Sequence, residues 1–396
     1  MPAFLHEWLN VVLRWAHVTA AIMWVGDSFL FMWMDRTLEP PAPGRAGDVV
    51  GELWLTHSGG FYEVVKHRTL PGVPPRLWWF MWQSYTTWIT GVLLLSVVYA
   101  MGGRAMLLDG ASTLPHGVAV ALVFGTLLAG VALYELLCRV PGLTGLRLGA
   151  VALPLVAGAA WGLEHVFTAR AAFLLVGAAG GTIMAANVFS SIVPAQRRMV
   201  AATRARVAPD PRDGARAKAR STHNHYLTLP VLFTMLSNHF PGVFGGPHAW
   251  AALPLLFAAG AGTKLLMNLR ERTPAWAMAG TLACLGGAVA LTLPPGASPA
   301  VRALAAHAPV GDPEARLIVQ TRCVTCHSAH PTQAAFTAPP NGVTFESADQ
   351  MRAFADRIVF RVVETRTMPL GNLTGITDAE RVTLGAWAWQ QGHGSR

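Results

Sequence analysis

Long runs of apolar residues, rather than the short alternations typical of globular cores, fill the first 295 residues of the chain. A helix of about 18 or more apolar residues can cross the hydrocarbon core of a bilayer, which is about 30 Å thick. The pattern therefore predicts an all-α fold, an eight-helix transmembrane bundle. The predicted spans are 8–34, 77–102, 116–138, 147–163, 169–193, 226–244, 248–269 and 274–294. The sixth is the weakest of them, because Pro230 interrupts it and Pro241 bounds it.

Basic residues concentrate in alternate loops, those that follow spans one, three, five and seven, whereas the intervening loops hold Arg104 and Arg170 alone. Loops rich in Lys and Arg stay in the cytoplasm. The pattern predicts that both termini lie outside the cytoplasm. The segment 197–220, with eight basic residues, is then a cytoplasmic loop that faces anionic headgroups.

Composition agrees with a membrane protein, since 53% of the residues are hydrophobic and 13% are charged, against about 25% charged in an average soluble domain. The net charge of +9 raises the question of nucleic acid. Because the basic residues lie between apolar runs, we expect a lipid membrane and no nucleic acid as partner. Four cysteines are too few for a disulfide scaffold.

The composition changes abruptly after residue 295, where spans end and charges of both signs appear. We predict three parts: a transmembrane domain 1–295, a linker 296–308 and a small soluble domain 309–396. The third part contains Cys323-Val324-Thr325-Cys326-His327, the C-x-x-C-H pattern that attaches a c-type haem through two thioethers. A thioredoxin-like Cys-x-x-Cys pair or half of a zinc site would not explain the histidine.

The residues after the haem motif add to this interpretation. Met368, in Thr367-Met368-Pro369, could supply the second axial ligand to the iron beside His327. A capping box from Thr377 to Glu380 predicts a last helix. This order is typical of a small class I cytochrome c. Such haem is attached outside the cytoplasm, in agreement with the charge pattern.

Ionisable residues inside apolar spans are functional hypotheses by default. His17 in the first span could ligate a b-type haem, relay protons or form a structural hydrogen bond. Asp27, nearer the cytoplasmic end, could be catalytic or paired with an arginine. For His239 and His165, a haem-ligand role competes with simple exposure at the membrane interface.

Two polar segments offer groups for acid–base chemistry. The first cytoplasmic loop carries His57 and Glu63 around Gly59-Gly60, where a backbone could approach a planar ligand closely; the alternative is a loop held by a glycine turn, with no ligand. The second segment, His223-Asn224-His225, could bind a purine-like solute or cap the sixth span. A helix would not place both histidines on one face, whereas an extended segment would.

The abundant tryptophans of the first 90 residues suit membrane interfaces. Stacking on a substrate is the alternative for Trp79 or Trp82.

The chain resembles the bacterial membrane-bound urate oxidases, or urate hydroxylases, which fuse an eight-span domain to a cytochrome c. The resemblance covers nearly the whole chain. Beside the haem motif it rests on Arg14-Trp15-Ala16-His17, Trp24-Val25-Gly26-Asp27, His57-Ser58-Gly59-Gly60-Phe61-Tyr62, His223-Asn224-His225-Tyr226, Leu229-Pro230-Val231-Leu232-Phe233 and Ser237-Asn238-His239-Phe240-Pro241.

The resemblance implies oxidation of urate to 5-hydroxyisourate, with water as the oxygen source and electrons leaving through the cytochrome c. It also implies a bacterial inner membrane, a periplasmic cytochrome domain and a downstream acceptor such as a soluble cytochrome or a terminal oxidase. One c haem takes one electron at a time, which favours a second centre, a b haem held by His17 and another histidine, over direct stepwise transfer. The competing class is a non-enzymatic module that carries electrons from quinol to the cytochrome.

Overall fold

The computed structural model describes residues 3–45, 48–269, 273–293, 299–333, 336 and 338–393. The chain is mostly helical, with one antiparallel two-stranded sheet in the described part. The predicted boundary at residue 295, and with it the start of the linker, lies outside the described residues. The helices are α1 (Ala3–Thr37), α2 (Trp82–Leu95), α3 (His116–Arg139), α4 (Gly145–Glu164), α5 (Ala169–Ala186), α6 (Val193–Arg204), α7 (Pro211–Ser237), α8 (Pro241–Phe244), α9 (Ala249–Leu269), α10 (Ala275–Thr292), α11 (Pro299–Ala305), α12 (Asp312–Arg322), α13 (Ala348–Ala353), α14 (Ala355–Ile358) and α15 (Asp378–His393); the strands are β1 (Val49–His57) and β2 (Gly60–His67).

Six helical stretches of the described residues are long and apolar enough to cross a membrane. They are Phe4–Thr37, His116–Arg139, Gly145–Glu164, Ala169–Arg204, Ala249–Leu269 and Ala275–Thr292. Helices α2 and α7 occupy the positions of the second and sixth predicted spans. Helix α2 has 14 residues and continues as a wide π-helical turn, Ser96–Ala100.

Helix α7 begins well before the predicted sixth span. The Asp210 side chain accepts a hydrogen bond from the Arg212 N–H at 2.8 Å, and Pro211 occupies the first helical position, where its missing N–H costs nothing. The segment 221–226 therefore lies in the middle of a helix. Its interpretation as an extended entry or as a cap of the sixth span is wrong.

The first polar segment is a β-hairpin and not the irregular loop of an all-α protein. Strand β1 pairs with β2 so that His57 faces Gly60 across a two-residue turn. The turn residues Ser58 and Gly59 have φ angles of 52° and 76°. Two positive φ angles are what a type I′ hairpin turn requires.

Helix α5 packs closely on α7. A Cβ added at Gly177 would lie 1.8 Å from the Thr234 hydroxyl, and one at Gly180 would lie 2.9 Å from the Val231 side chain. Small residues allow such close approach of membrane helices. Helix α5 then continues through a π-helical segment, Asn187–Ile192, into α6.

Helices α11 to α15 surround a separate apolar core in which Trp387 is fully buried. The Trp387 indole N–H donates to the Asp312 carboxylate at 2.9 Å. The predicted capping box is confirmed, since the Thr377 hydroxyl accepts from the Glu380 N–H at 3.2 Å and the Glu380 carboxylate accepts from the Thr377 N–H at 2.7 Å. This box starts α15.

The C-terminal domain contacts the bundle through glycines. Gly371, in the turn after Met368-Pro369, has a φ of +53°, and a Cβ on it would lie 2.5 Å from the Ala105 carbonyl oxygen. A Cβ on Gly110 would lie 2.5 Å from the Asn372 carbonyl oxygen. The segment 104–110 joins α2 to α3, so it belongs to the side of the bundle predicted to face outside.

Substitution of Gly371 by alanine should open this contact. We expect the amides of 104–110 to exchange hydrogen faster in Gly371→Ala, because the added Cβ collides with backbone that cannot rotate away. The measurement is hydrogen–deuterium exchange followed by mass spectrometry. The matched control is Gly342→Ala, which imposes the same strain at a φ of +69° but has no neighbouring atom within 4 Å. Equal exchange in both variants would contradict the contact.

Candidate functional site

A half-buried arginine on α7 organises the polar centre of the bundle. The Arg220 guanidinium donates two hydrogen bonds to the Glu135 carboxylate on α3, both at 2.8 Å. It donates a third to the Asn187 side-chain oxygen at 3.1 Å. The guanidinium also lies over the Tyr134 ring, 5.0 Å from its centroid. A bidentate pair of this kind fixes both geometry and charge.

The arginine determines how the neighbouring amides are oriented, because a guanidinium can only donate. The Asn187 oxygen must face Arg220, so its NH₂ group donates to the Tyr134 hydroxyl at 3.0 Å and to the Asn224 side-chain oxygen at 2.8 Å. The Asn224 NH₂ group then donates to the Met184 carbonyl at 2.9 Å. All polar atoms of Asn187 are thus satisfied.

The same chain of hydrogen bonds determines which nitrogen of His223 carries the proton. Since the Tyr134 hydroxyl accepts from Asn187, its own proton is donated to His223 Nδ1 at 2.7 Å. The imidazole is therefore assigned as the tautomer that carries its proton on Nε2. His223 is partly exposed, and it can offer that N–H to an oxygen of a bound solute.

The π-helical turn between α5 and α6 positions this network. It begins at Asn187, which is fully buried and contacts Tyr134, Arg220 and Asn224. Wide turns of this type are rare and occur often at functional sites. We call the set Tyr134, Glu135, Asn187, Arg220, His223 and Asn224 the α7 network.

His225 lies on a different face of α7 from His223. It contacts Asn268 of α9, with 3.0 Å between His225 Nε2 and the Asn268 side-chain oxygen. The helix thus separates the two predicted histidines. Within the described ranges, no group of three or more His, Cys, Asp or Glu side chains is gathered as a metal site.

The structure does not bring the hairpin residues to the α7 network. His57 is exposed at the end of β1, beside the turn. Glu63 forms an ion pair with Arg45, which also pairs with Glu52 at 2.9 Å. These ion pairs stabilise the hairpin, so its conformation does not require a bound ligand.

His17 and His239 lie at different depths of the bundle. His17 Nδ1 is 3.0 Å from the Thr87 carbonyl oxygen, and a Cβ on Gly91 would lie 2.9 Å from its ring. His6 is hydrogen-bonded to the Val97 carbonyl at the outer end of α2, so His17 lies about 16 Å below that level, at 1.5 Å per residue. His239 is exposed in the turn after α7. The two histidines are not placed to share one haem.

The residues of the C-x-x-C-H motif fit a c-type haem. Cys323 and Cys326 are free thiols on one turn after α12, and burial raises the pKa of Cys323 to about 12. His327 Nδ1 lies 3.0 Å from the Val343 carbonyl, which leaves Nε2 for a metal, and burial lowers the pKa of the imidazole. Met368 packs on the same core as Cys323.

Arg381 holds the backbone around Met368. Its guanidinium is buried and donates to the carbonyl oxygens of Met368 and Val362, both at 2.7 Å. The thioether is therefore positioned by α15, which the capping box starts.

A cleft of about 670 Å³ opens between the start of α2 and helix α6. The lining residues include Trp79, Arg197 and Arg204. An indole and two guanidinium groups suit a planar or anionic solute at the membrane surface. Trp82 contacts Tyr85 edge-on, 5.9 Å between centroids, and is not among the lining residues.

Sequence reasoning missed four residues of the α7 network: Tyr134, Glu135, Asn187 and Arg220. The available signal was a polar or ionisable side chain inside an apolar run, which applies to Glu135 and Asn187. The structural role of Arg220 has no such signal, because this arginine follows seven other basic residues in a segment whose composition is typical of a cytoplasmic loop.

Comparison with known proteins gives one family. The family described as urate oxidase N-terminal matches residues 3–293 of the chain, which is more than half of it. No curated protein and no solved structure matches the chain.

Removal of Arg220 should destabilise the bundle strongly. We expect Arg220→Met to lower the free energy of unfolding by roughly 1–3 kcal/mol, because the half-buried Glu135 carboxylate loses two charge-assisted hydrogen bonds. Denaturation in mixed detergent micelles measures it, and Arg216→Met, an exposed residue one turn earlier, is the control. The double variant Arg220→Met/Glu135→Leu should recover most of the loss. A double variant as unstable as the single one would contradict the pairing.

Proposed function

The chain belongs to the urate oxidase N-terminal family, and on that premise we propose that it oxidises urate to 5-hydroxyisourate within a membrane and passes the electrons to a c-type haem in its C-terminal domain. The family match over residues 3–293 is the observation that carries this proposal. In the reaction, urate and one water give 5-hydroxyisourate, two protons and two electrons. Water supplies the oxygen atom, so the electrons need an acceptor.

The C-terminal domain is the proposed acceptor. Cys323 and Cys326 would hold the porphyrin, and His327 and Met368 would ligate the iron, which accepts one electron at a time. The contact between Gly371 and the 104–110 segment supports this arrangement, because it brings the turn after Met368 against the bundle. A soluble cytochrome or a terminal oxidase would then take the electrons onward.

We also propose eight crossings of a bacterial inner membrane, with both termini and the C-terminal domain in the periplasm. Six of the helices are apolar enough by composition alone. Helix α2 and the second half of α7 would supply the other two, since α7 is shielded on several sides by protein and can carry polar residues. The alternation of basic loops supports the orientation.

The α7 network supplies the polar groups for the substrate. His223 presents its Nε2–H to a urate oxygen, and Tyr134 donates to Nδ1 of the same ring, so the negative charge that builds up on that oxygen when urate loses a proton is stabilised. Asn187 holds the Tyr134 hydroxyl in place, and Asn224 in turn accepts a hydrogen bond from Asn187. The proposal does not use His57 and Glu63, which lie on the exposed hairpin.

The site and the acceptor are far apart. Helix α7 rises about 21 Å between His223 and its outer end, so electrons must cross much of the bundle. This separation supports a second redox centre with His17 as one ligand, because His17 lies between the two levels and its Nδ1 is already bonded, as in most metal-bound histidines. His239 is not its partner.

Anaerobic addition of urate to the oxidised, purified protein tests the proposal. We expect prompt reduction of the c haem, seen in its alpha band, and formation of 5-hydroxyisourate without hydrogen peroxide. A spectrum of pyridine-treated protein, recorded first, counts the c-type and b-type haems. Reduction by quinol alone, with no response to urate, would support an electron-transfer module and overturn the proposal.

Alanine variants separate the α7 network from the hairpin. We expect His223→Ala to lower urate turnover by roughly 100-fold or more, because a donor to developing charge is lost, while dithionite still reduces the haem. His57→Ala, the control, should turn over urate at the rate of the unmodified protein. Loss of turnover in His57→Ala alone would move the site to the hairpin.

A further inference from the structure

A lysine is buried in the bundle, and no described residue forms an ion pair with it. The Lys264 side chain, on α9, is 1% exposed. Its ammonium lies over the Phe29 ring of α1, 2.8 Å from the centroid. The ion pairs of residues 3–45, 48–269, 273–293 and the described C-terminal part do not include it.

A buried ammonium without a counter-charge is costly. The interior of a protein solvates a charge poorly, and a single aromatic face compensates for only part of the lost hydration. Glu135, a more exposed carboxylate of the same bundle, is paired with Arg220. Ionisable residues that are retained inside a membrane bundle commonly serve a ligand or an ion. Lys264 is therefore suited to an anion that the described residues do not supply.

His225, beside Lys264, offers an unused acceptor. It is 1% exposed, and it is close enough to Lys264 to interact electrostatically. Its Nε2 donates to the Asn268 side-chain oxygen at 3.0 Å, while the Asn268 NH₂ group donates to the Tyr226 hydroxyl at 3.3 Å. In this arrangement His225 Nδ1 carries a lone pair, and it is buried with no hydrogen-bond partner.

Lys264 and His225 together define the chemistry of the ligand that they could bind. An ammonium requires negative charge, and a neutral imidazole nitrogen requires an N–H donor. A planar purine anion carries both, with delocalised charge on its oxygens and N–H groups on its rings. Chloride or phosphate monoester anions at neutral pH would leave Nδ1 without an N–H to accept.

We propose that Lys264 and His225 bind the urate anion, with the Lys264 ammonium as its counter-charge and His225 Nδ1 as the acceptor of a ring N–H. This inference rests on the proposed function. It places this urate on the α9 side of α7, across the helix from His223, as a second urate position besides the one at the α7 network. The Phe29 ring, which contacts both Lys264 and His225, forms the apolar wall.

Urate binding to dithionite-reduced protein tests the proposal, because reduced protein cannot turn the substrate over. We expect the Kd, measured by equilibrium dialysis, to rise roughly 30-fold or more in Lys264→Met, as for the loss of one partner of a buried charge pair. Lys264→Arg keeps the charge and should lose much less. Lys218→Met, an exposed lysine of α7, is the matched control and should leave the Kd unchanged.

The wild-type protein gives a second measurement that does not depend on variants that fold. A buried ion pair is little screened, so the Kd should change by less than about threefold between low and high salt. A steep salt dependence, as for exposed cations, would overturn the proposal.

The outcomes separate this inference from the function on which it rests. Wild-type protein that neither binds urate nor transfers its electrons would overturn both. Normal turnover with an unchanged Kd in Lys264→Met would overturn the role of Lys264 alone. If Lys264→Met does not accumulate, Lys264→Gln, which keeps hydrogen bonding without charge, is interpreted in the same way.

Discussion

The bundle depends on the cost of polar groups in an apolar interior. Arg220 can only donate, so the carboxylate of Glu135, the amides of Asn187 and Asn224 and the hydroxyl of Tyr134 each have one orientation that satisfies them. Reversing any one of these groups would leave a buried donor or acceptor without a partner. The tautomer of His223 follows from the same constraint. A single charged side chain thus orders a site that spans three helices.

Helix α7 presents two polar faces, each towards different neighbouring helices. One face carries the network towards α3 and α5, and another carries His225 towards α9 and α1. Among the described residues, the first face leaves only the His223 Nε2–H unused, whereas the second has an acceptor without a hydrogen-bond partner, His225 Nδ1, beside a lysine without an ion pair. A network whose hydrogen bonds are all formed is rigid, whereas groups that lack a hydrogen-bond or ionic partner can bind a ligand. This difference is the physical reason to propose a second urate position on the second face, apart from the one at His223.

Much of the fold could be predicted from the sequence, because long apolar runs and cap residues are local signals. The capping box at Thr377 is an example, as is the position of α3. The hairpin was not predicted, although Ser58-Gly59 between two strand-like segments is a turn signal. A polar segment between two membrane spans is also typical of an irregular loop. The site was only partly predicted. His223 and Asn224 stood out in the sequence, but their partners come from α3 and α5, and only the packing shows which polar residues meet.

The contact between Gly371 and the 104–110 segment, like that between Gly110 and Asn372, is made by main chain on both sides. Main-chain atoms are the same in every amino acid, so a change on one partner has no compensating change on the other. During divergence these glycines would have to persist while the side chains around them drift. Methods that detect contacts from correlated substitutions would therefore find little at these two contacts between the bundle and the C-terminal domain.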